Sequence, residues 1–345
     1  MTTTNPSAAQ PMTSSAAAAA GTAPAVRAGS AFTVWLRNSA TMVTLAFFII
    51  ALSVYFGIST PGFFTIDNGL VILSSVAVIG IVSLGQTGAI ITGGFDLSIS
   101  GMIPLGAIVF ATALNSGSGF ALGLLWVLLA GLVVGVLNGL LITRLRINPL
   151  ITTLGTMSIS IGVAQLIAGG ITVPFADPVV NILAARSVAG ISNGVWILLV
   201  LAVLFALMLR FTTFGRSLYA IGGNSEASWL AGIRVERSVT LVYVISGMLS
   251  AFAGALLASQ LLAGTTNLGA TAALTAVTAV VLGGGSLSGG SGSVIGTILG
   301  VLILGIFQNG LTITQVDPFW QQIATGTVLL VAVGVSQIRQ RRKRS

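Results

Sequence analysis

Ten apolar segments alternate with short polar segments along the chain. They fall at about residues 41–58, 70–91, 99–114, 121–142, 151–168, 195–209, 238–262, 271–283, 293–313 and 320–336. Segments of this length and polarity are typical of helices that cross the hydrocarbon core of a bilayer, although 271–283 is too short to cross it without its neighbours. The pattern predicts an all-α, polytopic integral membrane protein with about ten transmembrane helices.

Composition supports the same fold class. Of 345 residues, 55% are hydrophobic and 6% are charged, and the mean hydropathy is +1.05. The absence of cysteine and histidine excludes disulfides, thiol chemistry, histidine bases and zinc sites with N/S ligands. We expect a disordered tail at 1–30 without a signal-peptide core, a transmembrane domain at 31–337, and a basic cytoplasmic tail at 338–345.

Positive charge is concentrated at the ends of the apolar segments. The net charge is +8, with clusters before the first segment, at 144–146, at 210–237 and at the C-terminus. Four, two and four crossings separate these clusters, so all lie on one side, as arginines of cytoplasmic loops do. We therefore expect lipid rather than nucleic acid around this chain, both termini in the cytoplasm, and only Arg186 in the outer loops.

Two glycine-rich breaks interrupt the apolar segments and resemble copies of one motif. They read GGFDLS at 93–98 and GGGSLS at 283–288, and each is followed by an Asn-Gly pair, at Asn138 and Asn309. The first spacing is longer by about one bilayer crossing, which predicts an internal repeat whose halves differ by one helix and whose asparagines face opposite sides. The alternative is chance similarity among helices rich in glycine, leucine and threonine.

Asp96 is the one acid inside a predicted membrane segment. A carboxylate there costs several kcal/mol unless it is paired, hydrated or capping a helix. It either lines a solute pathway or caps a helix that starts near Leu97. Ser286 occupies the matching position of the second break, which argues against a proton relay between paired acids. The candidate pathway residues are Asp96, Ser98, Ser286, Ser288, Asn138 and Asn309.

The segment 212–237 is the one long polar interruption and contains both glutamates of the chain. Its spacing predicts a short helix that Ser225 caps, with Glu226 in the first turn and Gly232 at the end. Trp229 among charged residues suggests a docking surface, and the other interpretation is a solvated connector. No nucleophile and base pair points to an enzyme, and the glycine run 283–293 lacks the lysine of a phosphate loop.

From about residue 45 to 335 the chain resembles the permease subunits of ABC importers for monosaccharides, of the ribose, xylose and galactose type. The resemblance depends on six segments in the family's order: TPGFFTIDN (60–68), TGGFDLSISG (92–101), NPLITTLGTM (148–157), GRSLYAIGGNSEASWLAGI (215–233), VLGGGSLSGGSGSVIGT (281–297) and the Asn-Gly pair at Asn309.

This resemblance implies a permease dimer in the bacterial plasma (inner) membrane, with a cytoplasmic ABC ATPase and an extracytoplasmic solute-binding protein. ATP and magnesium would be bound by the ATPase, so this chain itself would bind no cofactor, and transport would proceed by alternating access. The implied ATPase-coupling residues are Gly215, Arg216, Gly222, Gly223, Asn224, Glu226, Ala227 and Gly232.

Three positions depart from the family pattern. Ala273 and Thr275 stand where relatives commonly carry acids, and Ile161 stands where many carry arginine. Either the solute depends less on polar contacts, or this chain pairs with a different permease that supplies the missing charges, so the dimer is a homodimer or a heterodimer. Alternatives for the solute are a signalling furanose, a polyol or a nucleoside, and the alternative mechanism is an ATP-independent secondary transporter.

Overall fold

The computed structural model describes residues 31–176 and 181–344 of the chain. The chain divides into two units, Met1–Ala40 and Thr41–Ser345. Within the first unit, the described residues are helical from Ala31 onward. The tail predicted at 1–30 lies outside the described residues, and the remaining helices belong to the second unit.

Thirteen α-helices are found in the described residues. They are α1 (Ala31–Ser59), α2 (Ile66–Ile91), α3 (Ile99–Asn115), α4 (Gly119–Thr143), α5 (Pro149–Ala168), α6 (Asn181–Ala184), α7 (Asn193–Phe211), α8 (Thr213–Gly223), α9 (Ser225–Leu230), α10 (Val235–Leu261), α11 (Ala272–Leu282), α12 (Val294–Ile313) and α13 (Pro318–Arg344). Two short antiparallel strands, β1 (Val173–Pro174) and β2 (Ala263–Gly264), pair Val173 with Gly264.

Each of the ten predicted segments coincides with a helix. In the described residues, seven helices are long and apolar enough to cross a membrane: α1, α2, α4, α5, α7, α10 and α12. The helices α3 and α11 are shorter apolar helices, as expected for 271–283. The last helix continues to Arg344, so the basic segment 338–344 extends α13.

Glycines allow α4 to pack closely against α10. A Cβ at Gly131 would lie 2.6 Å from the Gly247 carbonyl oxygen, and one at Gly135 would lie 2.6 Å from that of Tyr243. Helix backbones approach this closely in lipid only where side chains are small, which explains the spacing of four residues between these glycines. The core formed by α2, α3 and α10 lies beside this contact.

The connections between helices lie at two ends of the bundle. At the first, which we call the break end, lie both glycine-rich breaks, the connection 144–148 and the helices α8 and α9. At the second, the far end, lie the β1–β2 pair and an exposed ion pair of 3.9 Å between Arg186 and Asp67.

The two Asn-Gly pairs lie at opposite ends. The Asn138 amide donates to the Ser98 hydroxyl at 2.9 Å, beside the first break. Asn309 exchanges two hydrogen bonds, of 2.9 and 3.1 Å, with Asn68 at the start of α2. The predicted placement of these asparagines on opposite sides agrees with these contacts, and α3 is the extra helix of the first half.

Candidate coupling segment and solute pathway

The first break begins where α2 ends. Gly93 has a positive φ of 82°, its amide donates to the Ile90 carbonyl at 3.0 Å, and the Gly94 amide donates to the Ala89 carbonyl at 2.9 Å. This is the pattern by which a left-handed glycine closes a helix. The Tyr243 hydroxyl of α10 then donates to the Phe95 carbonyl at 3.1 Å. A Cβ at Gly94 would lie 2.5 Å from that hydroxyl oxygen, so the tyrosine requires a glycine there.

Asp96 lies at the centre of a buried hydrogen-bond network. Its Oδ1 accepts from the Ser98 amide at 3.0 Å and from the Ser98 hydroxyl at 2.5 Å. The side-chain amide of Asn138 on α4 donates to that hydroxyl, and the Thr156 hydroxyl of α5 donates to the Asn138 side-chain oxygen, Oδ1, at 2.7 Å. The Ser246 hydroxyl of α10 lies near the same carboxylate, although no hydrogen bond is formed between the two groups. The carboxylate thus connects the first break to the helices beside it.

Of the two alternatives given for Asp96, a cap on a helix near Leu97 differs from the start of α3 in the structure, whose cap position is Ser98. α3 begins at Ile99, and Asp96 instead forms an Asx turn with Ser98. Ser100 accepts a hydrogen bond of 3.1 Å from the Ala273 amide and so holds the start of α11. Asp96 and Ser98 are fully buried and Asn138 is almost fully buried.

The second break repeats the helix ending of the first. The Gly284 amide donates to the Val281 carbonyl at 3.0 Å, and the Gly285 amide donates to that of Val280 at 2.8 Å. The Ser286 hydroxyl oxygen then accepts from the Ser288 amide at 3.3 Å. In this break Ser286 follows the left-handed Gly284 by two residues, whereas in the first break Asp96 follows the left-handed Gly93 by three. Ser286 is half-buried, and Ser288 is exposed.

Helix α8 packs against both breaks. The Gly290 amide, in the glycine run 283–293 that contains the second break, donates at 2.8 Å to the carbonyl of Ile91, two residues before the first break. A Cβ at Gly222 would lie 1.8 Å from that carbonyl oxygen and 2.4 Å from the Gly290 nitrogen. The Tyr219 hydroxyl donates to the Gly292 carbonyl at 2.9 Å, and burial raises the pKa of Tyr219, so the hydroxyl keeps the proton it donates. At the next residue, Gly223, an added Cβ would meet no atom within 4 Å.

The segment from 212 to 237 forms two short helices where one was predicted. Thr212 caps α8 by accepting from the Gly215 amide at 3.0 Å, and a Cβ at Gly215 would lie 2.4 Å from two carbonyl oxygens of α7. Leu218 and Ile221 are buried at helical spacing, and this is the signal in the sequence from which α8 could have been predicted.

Asn224, not Ser225, caps α9. Its Oδ1 accepts from the Ala227 amide at 2.9 Å, and its extended backbone separates α8 from α9. The predicted ending at Gly232 is confirmed: φ is 82°, and the Gly232 amide donates to the Trp229 carbonyl at 2.9 Å.

The outer face of α9 has no partner in the described part of the chain. Glu226 is exposed, and Trp229 and Leu230 are 67% and 73% exposed. Arg216 of α8 is also exposed, and its guanidinium donates to the Phe211 carbonyl at 3.4 Å. Two large apolar side chains next to an unpaired carboxylate form a surface suited to a protein partner.

A polar cleft of about 740 Å³ lies toward the far end, between α2, α11, α12 and α13. Its lining includes the amides of Gln308, Asn309, Gln321 and Gln322 and the hydroxyls of Ser75, Thr271, Thr275, Thr278, Thr312 and Thr325. Asn309 is the one of the six predicted pathway residues that lines it. The glutamines were missed, although amides within apolar helices are themselves a signal in the sequence.

Comparisons with known proteins agree with this architecture. Residues 68–333 match the family described as branched-chain amino acid transport system, permease component. The L-arabinose ABC transporter permease protein AraH of Azospirillum brasilense is 34% identical over 97% of this chain and 98% of its own. The ribose import permease protein RbsC of Bacillus subtilis is 37% identical, over 84% of this chain and 90% of its own.

The galactose/methyl galactoside import permease protein MglC of Escherichia coli is 36% identical, over 82% of this chain and 90% of its own. No solved structure matches the chain. The matched residues contain both glycine-rich breaks, α8 and α9 and most of the helices of the bundle. The chain is therefore a multi-pass membrane protein of the bacterial inner membrane and belongs to this family of transport-system permease components.

Proposed function

We propose that this chain is the permease subunit of an ABC importer that moves a monosaccharide, or a similar small neutral solute, into the cytoplasm. The observation that supports the proposal best is the position of α8, which touches both glycine-rich breaks through Gly222 while α9 beside it exposes Glu226 and Trp229. A partner that moves α9 therefore acts on both breaks at once.

The orientation follows from charge. Six arginines lie at the break end, whereas Arg186 is the arginine of the far-end connections in the described residues. Arginine excess marks cytoplasmic loops, so the break end faces the cytoplasm and both termini lie there. The far end then faces outward, where a solute-binding protein delivers its solute next to the polar cleft.

The ATPase supplies the energy in this proposal. ATP and magnesium bind to the partner, and its closure moves the α8–α9 segments of two permeases. Gly215, Asn224 and Gly232 shape the segment, Ala227 lies at the capped start of α9, and Arg216 and Glu226 lie on its exposed surface. The second permease is a copy of this chain or a related chain.

The solute class follows from the relatives. Proteins named for L-arabinose, ribose and galactose are similar to this chain over most of its length, whereas the family description names branched-chain amino acids. An amino acid carries both a carboxylate and an ammonium group, and no charged residue lines the cleft. A neutral, hydroxylated solute is the better fit.

The experiment is purification of the tagged chain from its host in mild detergent, with mass spectrometry of the proteins recovered. We expect an ATPase with two nucleotide-binding domains. Glu226→Lys should reduce ATPase recovery and solute uptake about tenfold or more. A lysine buried at the interface in place of the glutamate would face a partner surface of the same charge, which costs several kcal/mol of binding free energy.

Glu236→Lys makes the same charge change at the exposed start of α10 and serves as the control. Equal loss from both variants would show a general charge effect and contradict docking through α9. Repeated recovery of the chain without an ATPase, under conditions that preserve other ABC complexes, would favour an ATP-independent transporter.

A further inference from the structure

We propose that the polar cleft is a contact site for a neutral, polyhydroxylated solute, with the Gln308 and Gln322 amides as its principal hydrogen-bonding groups. This inference depends on the proposed import function and names the residues that would meet the solute inside the permease. The site was not among the residues singled out from the sequence, apart from Asn309.

The amides at the cleft divide into committed and available groups. Asn309 is paired with Asn68, and the Gln321 amide nitrogen donates to the Val316 carbonyl at 2.8 Å while its oxygen lies 3.3 Å from the Thr312 hydroxyl. The side chains of Gln308 and Gln322 make no such bond with the side chains and backbone that the structure describes. Each therefore offers two donor hydrogens and one acceptor oxygen to the cleft.

The hydroxyls on α11 complement these amides. Thr271, Thr275 and Thr278 lie on one face of the helix at helical spacing and all line the cleft. The Thr275 hydroxyl donates to the Thr271 carbonyl at 3.0 Å, and that of Thr278 donates to the Leu274 carbonyl at 2.7 Å. The hydroxyls of Thr275 and Thr278 are thus committed within the helix, and both side chains are buried behind the wall of the cleft. Thr271 is exposed, so it is the threonine of this face whose oxygen a solute can reach.

This set of groups selects for solute hydroxyls. A sugar hydroxyl is both a donor and an acceptor, so it satisfies an amide and a threonine oxygen together, whereas an apolar solute would leave the amides unpaired at a cost of about 1–3 kcal/mol each. A carboxylate or ammonium group would lose water without gaining a counter-charge, because the lining has no ionisable side chain.

Size and place are consistent with a solute site. A volume of about 740 Å³ lies in the range of small-molecule sites. Gln308 is separated from Val294, where α12 leaves the second break, by about 20 Å of helix. The cleft is therefore a site on the transport pathway near the far end, and the breaks at the other end control passage of the solute from the cleft to the cytoplasm.

The test uses the complete importer, in its host or reconstituted with its ATPase and binding protein. The probes are radiolabelled L-arabinose, D-ribose, D-galactose and ribitol, with L-leucine as the zwitterionic probe. Gln308→Leu, Gln322→Leu and Thr325→Val remove cleft groups. Thr327→Val is the control, since Thr327 is on the same helix as Thr325, makes the same kind of helix hydrogen bond and does not line the cleft.

We expect uptake of one or more neutral probes and none of L-leucine. Maximal uptake should fall about five- to tenfold in each glutamine variant, because each removes hydrogen bonds worth about that factor, and it should be unchanged in Thr327→Val. Membrane abundance and ATPase recovery should equal those of the parent. Gln322 is exposed, so its replacement leaves the packing intact even where Gln308→Leu does not fold.

Parent-like uptake in both glutamine variants would overturn the site while the importer assignment stood. Uptake of L-leucine in preference to every neutral probe, or uptake of no probe at all, would overturn the solute class. Failure to recover an ATPase with the parent chain is a different result, because it contradicts the proposed function itself.

Discussion

The two glycine-rich breaks end their helices in the same way and then differ in what holds them. The first is fixed inside the protein by Asp96, whose hydrogen bonds lead to Asn138 and Thr156 on two further helices. The second replaces the carboxylate with Ser286 and leaves Ser288 exposed. The same kind of helix ending therefore does not imply equal constraint, because the buried partners decide how firmly a break is held.

A tyrosine hydroxyl holds a backbone carbonyl in each break. Tyr243 binds Phe95 from α10 in the core, and Tyr219 binds Gly292 from α8 at the break end. The first break is thus attached to a membrane helix and the second to the segment proposed to meet the ATPase. This difference suggests that the second break moves with α8 and the first resists it.

The largest expected effect tests the contact that joins the two breaks. Gly222→Ala should reduce uptake at least tenfold, because the new Cβ would overlap the Ile91 carbonyl oxygen and the Gly290 nitrogen, and overpacking of backbone against backbone costs about 1–3 kcal/mol or more. The measurement is initial uptake rate at equal membrane abundance.

Gly223→Ala is the matched control. Gly223 is the next residue along the chain, and a Cβ added there would meet no atom within 4 Å. We expect parent-like uptake from it. Equal rates from the two variants would show that α8 does not depend on close contact with the breaks.

The next largest effect is expected from replacing Asp96, the turn residue of the first break, and is compared with that of replacing Ser286 in the second. Asp96→Ala should lower the stability of the purified permease by about 2–4 kcal/mol, because it leaves the buried amide and hydroxyl of Ser98 without their acceptor. Asp96→Asn keeps one carbonyl oxygen and should lose about half as much. Ser286→Ala, in the more exposed turn, should lose less than about 1 kcal/mol.

Apparent melting temperature in detergent measures these differences, and uptake shows whether Asp96 has a further role. A stable Asp96→Asn protein with no uptake would indicate a direct part in the pathway. An Asp96→Ala protein as stable as Ser286→Ala would remove the proposed difference in constraint.

The smallest effect compares the two tyrosines. Tyr243→Phe leaves the Phe95 carbonyl in the core without a donor and should cost about 1–2 kcal/mol, whereas Tyr219→Phe should cost about 1 kcal/mol or less because Tyr219 is only partly buried. We expect Tyr219→Phe to affect ATP-coupled uptake more than its stability loss implies. If the loss of uptake in Tyr219→Phe and in Tyr243→Phe were each in proportion to the loss of stability, that expectation would be contradicted.

The ten apolar helices and both breaks could be predicted because their signals are local. Long apolar runs, glycine clusters and arginine excess lie within single segments of the sequence. The helix caps were less predictable: Ser225 and Asn224 are neighbours with similar capping propensity, and only the extended backbone of Asn224 distinguishes them.

The polar interior was largely beyond sequence reasoning. Asp96 bonds Ser98, but the next members of its network, Asn138 and Thr156, lie about 40 and 60 positions away, and a hydrogen bond between α4 and the first break leaves no periodic signal. The cleft was missed for a related reason, because its glutamines come from two helices whose facing sides are set only by packing. Asn309 was predicted through its repeat motif alone.

The reciprocal amide pair between Asn68 and Asn309 has a mechanical consequence. It joins α2 and α12 at the ends farthest from the breaks, so the two helices resemble the arms of a hinge whose pin lies at the far end. Over the roughly 20 Å from Asn309 to the start of α12, a rotation of about 10° would displace that start by about 4 Å. A small change of angle at the pin would thus be enough to separate Gly290 from Ile91 and part the two breaks.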